Sequence, residues 1–233
     1  MVSSIRDATV AFGAGHGSLI VPIERRIAQY LHRNCYTPLI AHATPVPLFG
    51  TTSRALHNEI MAIGTPFHLV LTNLGEGGIT KGFLEDCKHV LSCSIYAPKI
   101  THIGSSFLGG CISLLSFDTS GLTSVTTIGD TFLVGCTSLS SFDTSGLTSV
   151  TTIGNGLLHG CTSLSSFDTS GLTSLTTIGH AFLGGCTSLS SFDTSGLTSV
   201  RTIGDGFLGG CTSLFAKPTV DEIYLARKFN EKV

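Results

Sequence analysis

Apolar positions in the second half of the chain return with one period, and the polar residues between them return too. Leu114, Leu139, Leu164, Leu189 and Leu214 stand 25 residues apart, as do Phe117, Phe142, Phe167 and Phe192. Cys111, Cys136, Cys161, Cys186 and Cys211 keep the same step, and an earlier copy, Ile79, Phe83 and Cys87, matches Ile103, Phe107 and Cys111 at a step of 24. A period of this size marks a supersecondary unit that cannot bury its apolar face alone and must stack on copies of itself. The expected architecture over residues 79–214 is therefore a solenoid. Parallel strands would pair from turn to turn, with short helical, 3₁₀ or irregular segments on the convex side.

Within one unit the strand is expected at residues 138–145. Side chains alternate along a strand, so Phe142 and Thr144 should point inward, and Ser141, Asp143 and Ser145 outward. Gly146 should end the strand and allow a turn. Ile153-Gly154 should make a second corner, followed by a short helical or 3₁₀ segment around Phe132-Leu133 and its equivalents.

The flanks do not repeat. Residues 1–78 read as an α/β N-terminal cap or a leader. A strand-like run, Ala8 to Phe12, precedes Gly13-Ala14-Gly15-His16-Gly17. An amphipathic helix is expected over 23–31 and another at about 53–62. After Leu214 the register breaks, and Thr219-Val220-Asp221-Glu222 fits a capping box, with Thr at the N-cap and Glu three residues on. A helix over 220–231, with Val220, Ile223, Tyr224 and Arg227 on one face, should close the stack within a C-terminal segment 215–233.

Composition narrows the function classes. Charged residues make up 12% of the 233 and the formal net charge is -2. Neither fits the basic footprint of a nucleic-acid binder. Mean hydropathy is +0.38, yet no apolar run reaches the roughly 18 residues of a membrane-spanning helix. The opening Met-Val-Ser-Ser-Ile-Arg-Asp has no apolar core of the secretory kind, which points to an intracellular chain. A monomer is expected.

Several columns invite chemistry. The repeat cysteines share an inward corner after a glycine, where buried thiols packing as small hydrophobes are expected. Disulfides between turns and metal ligation are the alternatives, although paired zinc spacings are missing. Asp118, Asp143, Asp168 and Asp193 should line one face about 5 Å apart, where neighbours repel by about 3 kcal/mol at an effective dielectric of 20. Hydrogen bonds from the Thr-Ser-Gly behind each carboxylate, in an Asx-type turn, would offset that cost. A cation- or ligand-binding ladder is the rival reading. Gly13-x-Gly15-x-Gly17 fits a turn better than a phosphate loop, because no P-loop lysine follows. His159 and His180 fall in different columns and read as surface residues. Asp130, Asn155, His180 and Asp205 mark a position that varies between units, and Arg201 replaces a threonine.

The unit Leu-x-x-Phe, Val-x-x-Ile-Gly, Phe-x-x-x-Cys-x-x-Leu resembles the BspA-like leucine-rich repeats of bacterial and protozoan surface and adhesion proteins, over about residues 79–214. The Ile-Gly-x-x-Phe-x-x-x-Cys string is its most specific part. The chain differs in its 25-residue units, in one extra residue before the cysteine, and in Asp-Thr-Ser-Gly where a proline is common. The resemblance implies a leucine-rich-repeat solenoid, a place at the cell surface, and a role in recognition or adhesion. The expected function is non-enzymatic and needs no cofactor. A sheet lined by Asp118, Asp143, Asp168, Asp193, Ser141, Ser145, Ser166 and Ser170 would meet a protein or other macromolecular partner. A structural product of repeat expansion with no dedicated ligand is the alternative, and a nucleotide binder or enzyme using the N-terminal glycine loop the third.

Overall fold

The computed structural model describes residues 38–42, 54–72 and 77–224. The expected strand at 8–12, the glycine loop at 13–17, the helix at 23–31 and the far half of the C-terminal helix lie outside them.

The repeats wind into a parallel β-solenoid with two sheets. One sheet is continuous and six-stranded: β3 (Gly77–Ile79), β5 (Ile100–Ile103), β7 (Thr127–Ile128), β8 (Thr152–Ile153), β10 (Thr177–Ile178) and β12 (Thr202–Ile203). Ile79, Ile103, Ile128, Ile153, Ile178 and Ile203 pair in unbroken register. These strands lie 24 or 25 residues apart, as the period requires. Their place in the unit differs from expectation: Ile153-Gly154 ends a strand of the main sheet and is not a bare corner. The Leu-x-x-Phe segment supplies the second, interrupted sheet. There β1 (Pro38–His42), β2 (Phe67–Thr72), β4 (Val90–Tyr96) and β6 (Ser116–Asp118) pair in that order, while β9 (Ser166–Phe167) and β11 (Ser191–Phe192) pair separately. Residues 141–143, expected to be strand, make no ladder, although Phe142 and Thr144 face inward and Ser141, Asp143 and Ser145 outward.

Glycine decides how closely the turns approach. A Cβ on Gly146 would collide with the Thr119 carbonyl of the turn before, and Gly171 and Gly196 stand equally close to Thr144 and Thr169. Gly146 is therefore required by stacking, not by a left-handed turn. The third side of each unit holds the left-handed residues. In place of a helical turn, Thr131, Leu133 and Gly135 all have positive φ, at 54°, 54° and 67°. Their N–H groups donate alternately forward to Asn155 O, back to Phe107 O and forward to His159 O. Leu108, Leu158, Leu183 and Leu208 repeat the left-handed conformation, one that costs an L-residue roughly 1–2 kcal/mol. Their side chains are buried, and pairing with both neighbouring turns holds the backbone there.

The core is one cluster running the length of the stack. Phe117, Phe142, Phe167 and Phe192 stack face to face at 5.9–6.2 Å between ring centroids. A second column, with Phe107, Phe132, Phe182 and Phe207, meets it edge-on, as between Phe117 and Phe132 at 5.4 Å. Edge-to-face contact suits the ring quadrupoles.

Helix α1 (Arg54–Met61) forms where a helix was expected, and its Ile60 is fully buried in the same core. Strand β2 continues the sheet in register, Leu69 beside Cys93 and Leu71 beside Ile95. Residue 78 thus marks a limit of sequence repetition, and the sheet runs across it. At the other end Thr219 and Glu222 make the reciprocal capping pair: Glu222 N–H donates to Thr219 Oγ1 at 3.1 Å, and Thr219 N–H to Glu222 Oε2 at 2.7 Å. Ile223 of that turn is buried against the core. Among the described residues no helix is long and apolar enough to cross a membrane.

Candidate functional site

The Asp-Thr-Ser-Gly segment builds the same device in each turn. The Ser120, Ser145, Ser170 and Ser195 N–H groups donate to Oδ1 of Asp118, Asp143, Asp168 and Asp193, at 2.8–3.2 Å. Ser145 and Ser195 add their hydroxyls to Asp143 and Asp193. These are Asx turns, which use the aspartate as a local cap. The Ser170 N–H, and then its hydroxyl, hold the Asp168 carboxyl below the usual carboxylate range. Hydrogen bonds to the charged form favour ionisation, so Asp168 is an anion at neutral pH.

One residue on, the threonine of the same segment is buried. Thr144 Oγ1 donates to Asp168 O at 3.0 Å and accepts the Gly171 N–H at 3.1 Å. Thr119 serves Asp143 and Gly146 alike, and Thr169 accepts the N–H of Gly196. Buried polar groups are almost always paired, and this hydroxyl ladder pairs backbone groups where the strand ladder is missing. The aspartates alternate with it on the outside. Ser141, Ser166, Asp143, Asp168 and Asp193 are exposed, and Asp118 is half-buried. The expected set thus shares one flank: Ser141 and Ser166 in one row, the aspartates in the next, Ser145 and Ser170 in a third.

The continuous sheet carries a different outer surface. Thr126, Thr151 and Thr176 turn their hydroxyls back onto the carbonyls of Thr101, Thr126 and Thr151, at 2.9–3.1 Å. Arg201 ends that row, and its carbonyl accepts the Tyr224 hydroxyl at 3.1 Å.

The variable column has a role that sequence comparison of the units did not expose. Ser105 Oγ accepts the Asp130 N–H, Asp130 Oδ1 the Asn155 N–H, Asn155 Oδ1 the His180 N–H, and His180 Nδ1 the Asp205 N–H, at 2.7–3.2 Å. Four different side chains do one job. The signal was present in their chemistry, since each offers a hydrogen-bond acceptor close to its backbone. His159 and His180 are both exposed, as expected.

The thiols form an inner spine. Cys111, Cys136, Cys161, Cys186 and Cys211 are buried and unbridged, and each donates to a leucine carbonyl of the previous turn at 3.2–3.3 Å. Burial, with neighbouring thiols adding to it, pushes Cys186 up to about 12 and Cys136 higher still. Among the described residues no three His, Cys, Asp or Glu side chains converge as a metal would require.

Comparison with known proteins agrees with this architecture. A model of the BspA type leucine rich repeat region matches residues 78–215 in six copies. A leucine-rich repeat protein of Bacteroides ovatus ATCC 8483 is similar at 27% identity and a TM-score of 0.51, over 65% of this chain and 36% of that one. The T. pallidum leucine rich repeat protein is similar at 18% identity and a TM-score of 0.46, over 72% of this chain and 84% of that one. The chain thus spans about a third of the Bacteroides protein and most of the T. pallidum one. No curated protein matches the sequence.

Proposed function

The chain belongs to the BspA-type leucine-rich repeat proteins, and from that premise we propose that its Ser/Asp flank is the surface on which a basic partner protein docks. Repeats of this family make protein-interaction scaffolds, and stacked units create the extended surfaces that such scaffolds use. The observation that carries the finer reading is the aspartate row. Asp118, Asp143, Asp168 and Asp193 recur once per turn, fixed by Asx turns and facing outward. A rigid row of carboxylates attracts positive charge and loses little entropy on binding, because the side chains are already ordered. Recognition or adhesion is the setting in which such a flank would act. The scaffold carries out no chemical step.

Replacing all four aspartates by asparagine tests this, since Asn keeps the turn acceptor and removes the charge. The wild-type chain should capture a basic protein from extract and release it as salt rises, because exposed charge pairs are screened. The fourfold variant should fold normally and lose the capture. Unchanged capture by the variant, or capture indifferent to salt, would overturn the reading. A specific observation favours one alternative, a stack with no dedicated ligand. The same aspartates, threonines and acceptor column all hold neighbouring turns or their own turn together. Absence of any saturable partner would favour that alternative.

A further inference from the structure

Asn155-Gly156 is the sole Asn-Gly pair in the chain, and we infer that it is a deamidation site kept closed by the next turn of the stack. An Asn-Gly pair cyclises readily because glycine has no side chain to hinder its own nitrogen. That nitrogen bonds to the asparagine Cγ while the Cγ–Nδ2 bond breaks, and Nδ2 leaves as ammonia with the proton that the amide gives up. Water then opens the succinimide at either carbonyl, leaving aspartate or isoaspartate at position 155. No catalyst or oxidant is needed, only water and freedom of the two groups to meet.

The structure withholds that freedom through one neighbour. The nucleophile, the Gly156 N–H, donates to His180 O at 2.7 Å. The electrophilic amide is held in the same place, its Oδ1 accepting the His180 N–H at 2.8 Å. Both partners belong to the backbone of His180, so neither is released until the turn at 180 lifts off the turn at 155. The Asn155 carbonyl is tied in the other direction, accepting the Thr131 N–H at 2.6 Å. Asn155 itself is exposed, so water reaches it freely, and only geometry stands in the way.

The two products have opposite consequences. Aspartate keeps an acceptor at that position, and Asp130 shows the same contact made by a carboxylate, at 2.7 Å to the Asn155 N–H. Isoaspartate reroutes the main chain through the side-chain carbon. That displaces the carbonyl that Thr131 needs and the N–H that His180 needs. Opening of the stack is thereby recorded in a covalent change that hinders closing.

The full-length chain, incubated at neutral pH and body temperature with and without denaturing urea, tests this by peptide mapping of residue 155. Deamidation should be at least about tenfold slower in the folded protein, because the rate follows the fraction of time that the turn is open. Gly156→Ala should suppress the reaction in urea, confirming the chemistry. Asn155→Asp should fold and melt like the wild type, and isolated isoaspartate protein should melt lower. Equal rates with and without urea would overturn the gating. So would isoaspartate protein that is as stable as the wild type.

Discussion

The Nδ1 atom of His57 accepts the Leu84 backbone N–H at 3.1 Å. The corresponding amides of Leu108, Leu133 and Leu158 donate to Phe83, Phe107 and Phe132 carbonyls of the turn before. For Leu84 a side chain from α1 takes the place of such a carbonyl. At the far end the Tyr224 hydroxyl meets the Arg201 carbonyl. His57→Ala should leave the Leu84 amide without its acceptor and cost about 1–3 kcal/mol, the usual penalty for an orphaned donor. Urea unfolding reads this directly, and a change below about 0.5 kcal/mol would mean that water replaces the ring without loss.

The buried threonine ladder should be more costly to break than any exposed threonine. Thr144→Val preserves shape but strands the Asp168 carbonyl and the Gly171 N–H in the interior. Each such group costs about 1–3 kcal/mol. Thr148→Val, at an exposed position of the same turn, should stay within about 0.5 kcal/mol of wild type. Equal stability of the two variants would refute the ladder's role.

The thiol spine gives a pH dependence with a definite sign. A thiol in the unfolded chain ionises near about 8.5, whereas burial raises Cys186 to about 12. The folded state therefore holds its proton where the unfolded state has lost it. The stabilising contribution is intact below about pH 8.5 and declines as pH rises toward 12. Unfolding free energy should fall through that alkaline window, and Cys186→Ala should flatten the fall relative to its own neutral-pH value. Native protein should also react slowly with thiol reagents at neutral pH, since the thiolate is the nucleophile. Rapid labelling of most repeat cysteines would place them at the surface.

The solenoid, its inward Phe142 and Thr144, the Asx turns and the Thr219–Glu222 cap were legible because each rests on local pattern or local hydrogen bonding. The division of pairing between two sheets was not. It depends on how turns curve against one another, and Leu-x-x-Phe and Val-x-x-Ile look equally strand-like within one unit. The left-handed leucines were hidden as well. Positive φ is read from glycine, whereas Leu133 is held there by Phe107 O and its buried side chain. The acceptor column was read as variation because Asp130, Asn155 and His180 differ in everything except the lone pair they present.

One substitution in the aromatic columns offers a gain of stability. Phe107 stacks on Phe132 at 6.0 Å and Phe182 on Phe207 at 5.6 Å. Between these pairs the column is interrupted by Leu157, which is buried at 1% exposure. The backbone around Leu157 follows the neighbouring turns: Leu158 donates to Phe132 O as Leu133 donates to Phe107 O. The inner column beside it continues unbroken, Phe142 on Phe167 at 6.0 Å, so a ring at 157 would meet two faces and two edges. Such contacts contribute about 0.5–1.5 kcal/mol per pair beyond the added burial. Forcing extra atoms into a packed core costs about 1–3 kcal/mol. Five other turns already seat phenylalanine at this position, Phe83, Phe107, Phe132, Phe182 and Phe207, with the same stacking between neighbours, which argues that the backbone accepts the ring with little movement. Leu157→Phe should therefore raise stability by about 1 kcal/mol, read as an increase in the urea midpoint at unchanged m-value. A drop in the midpoint would show that this turn has closed around leucine and that the columns are not interchangeable between units.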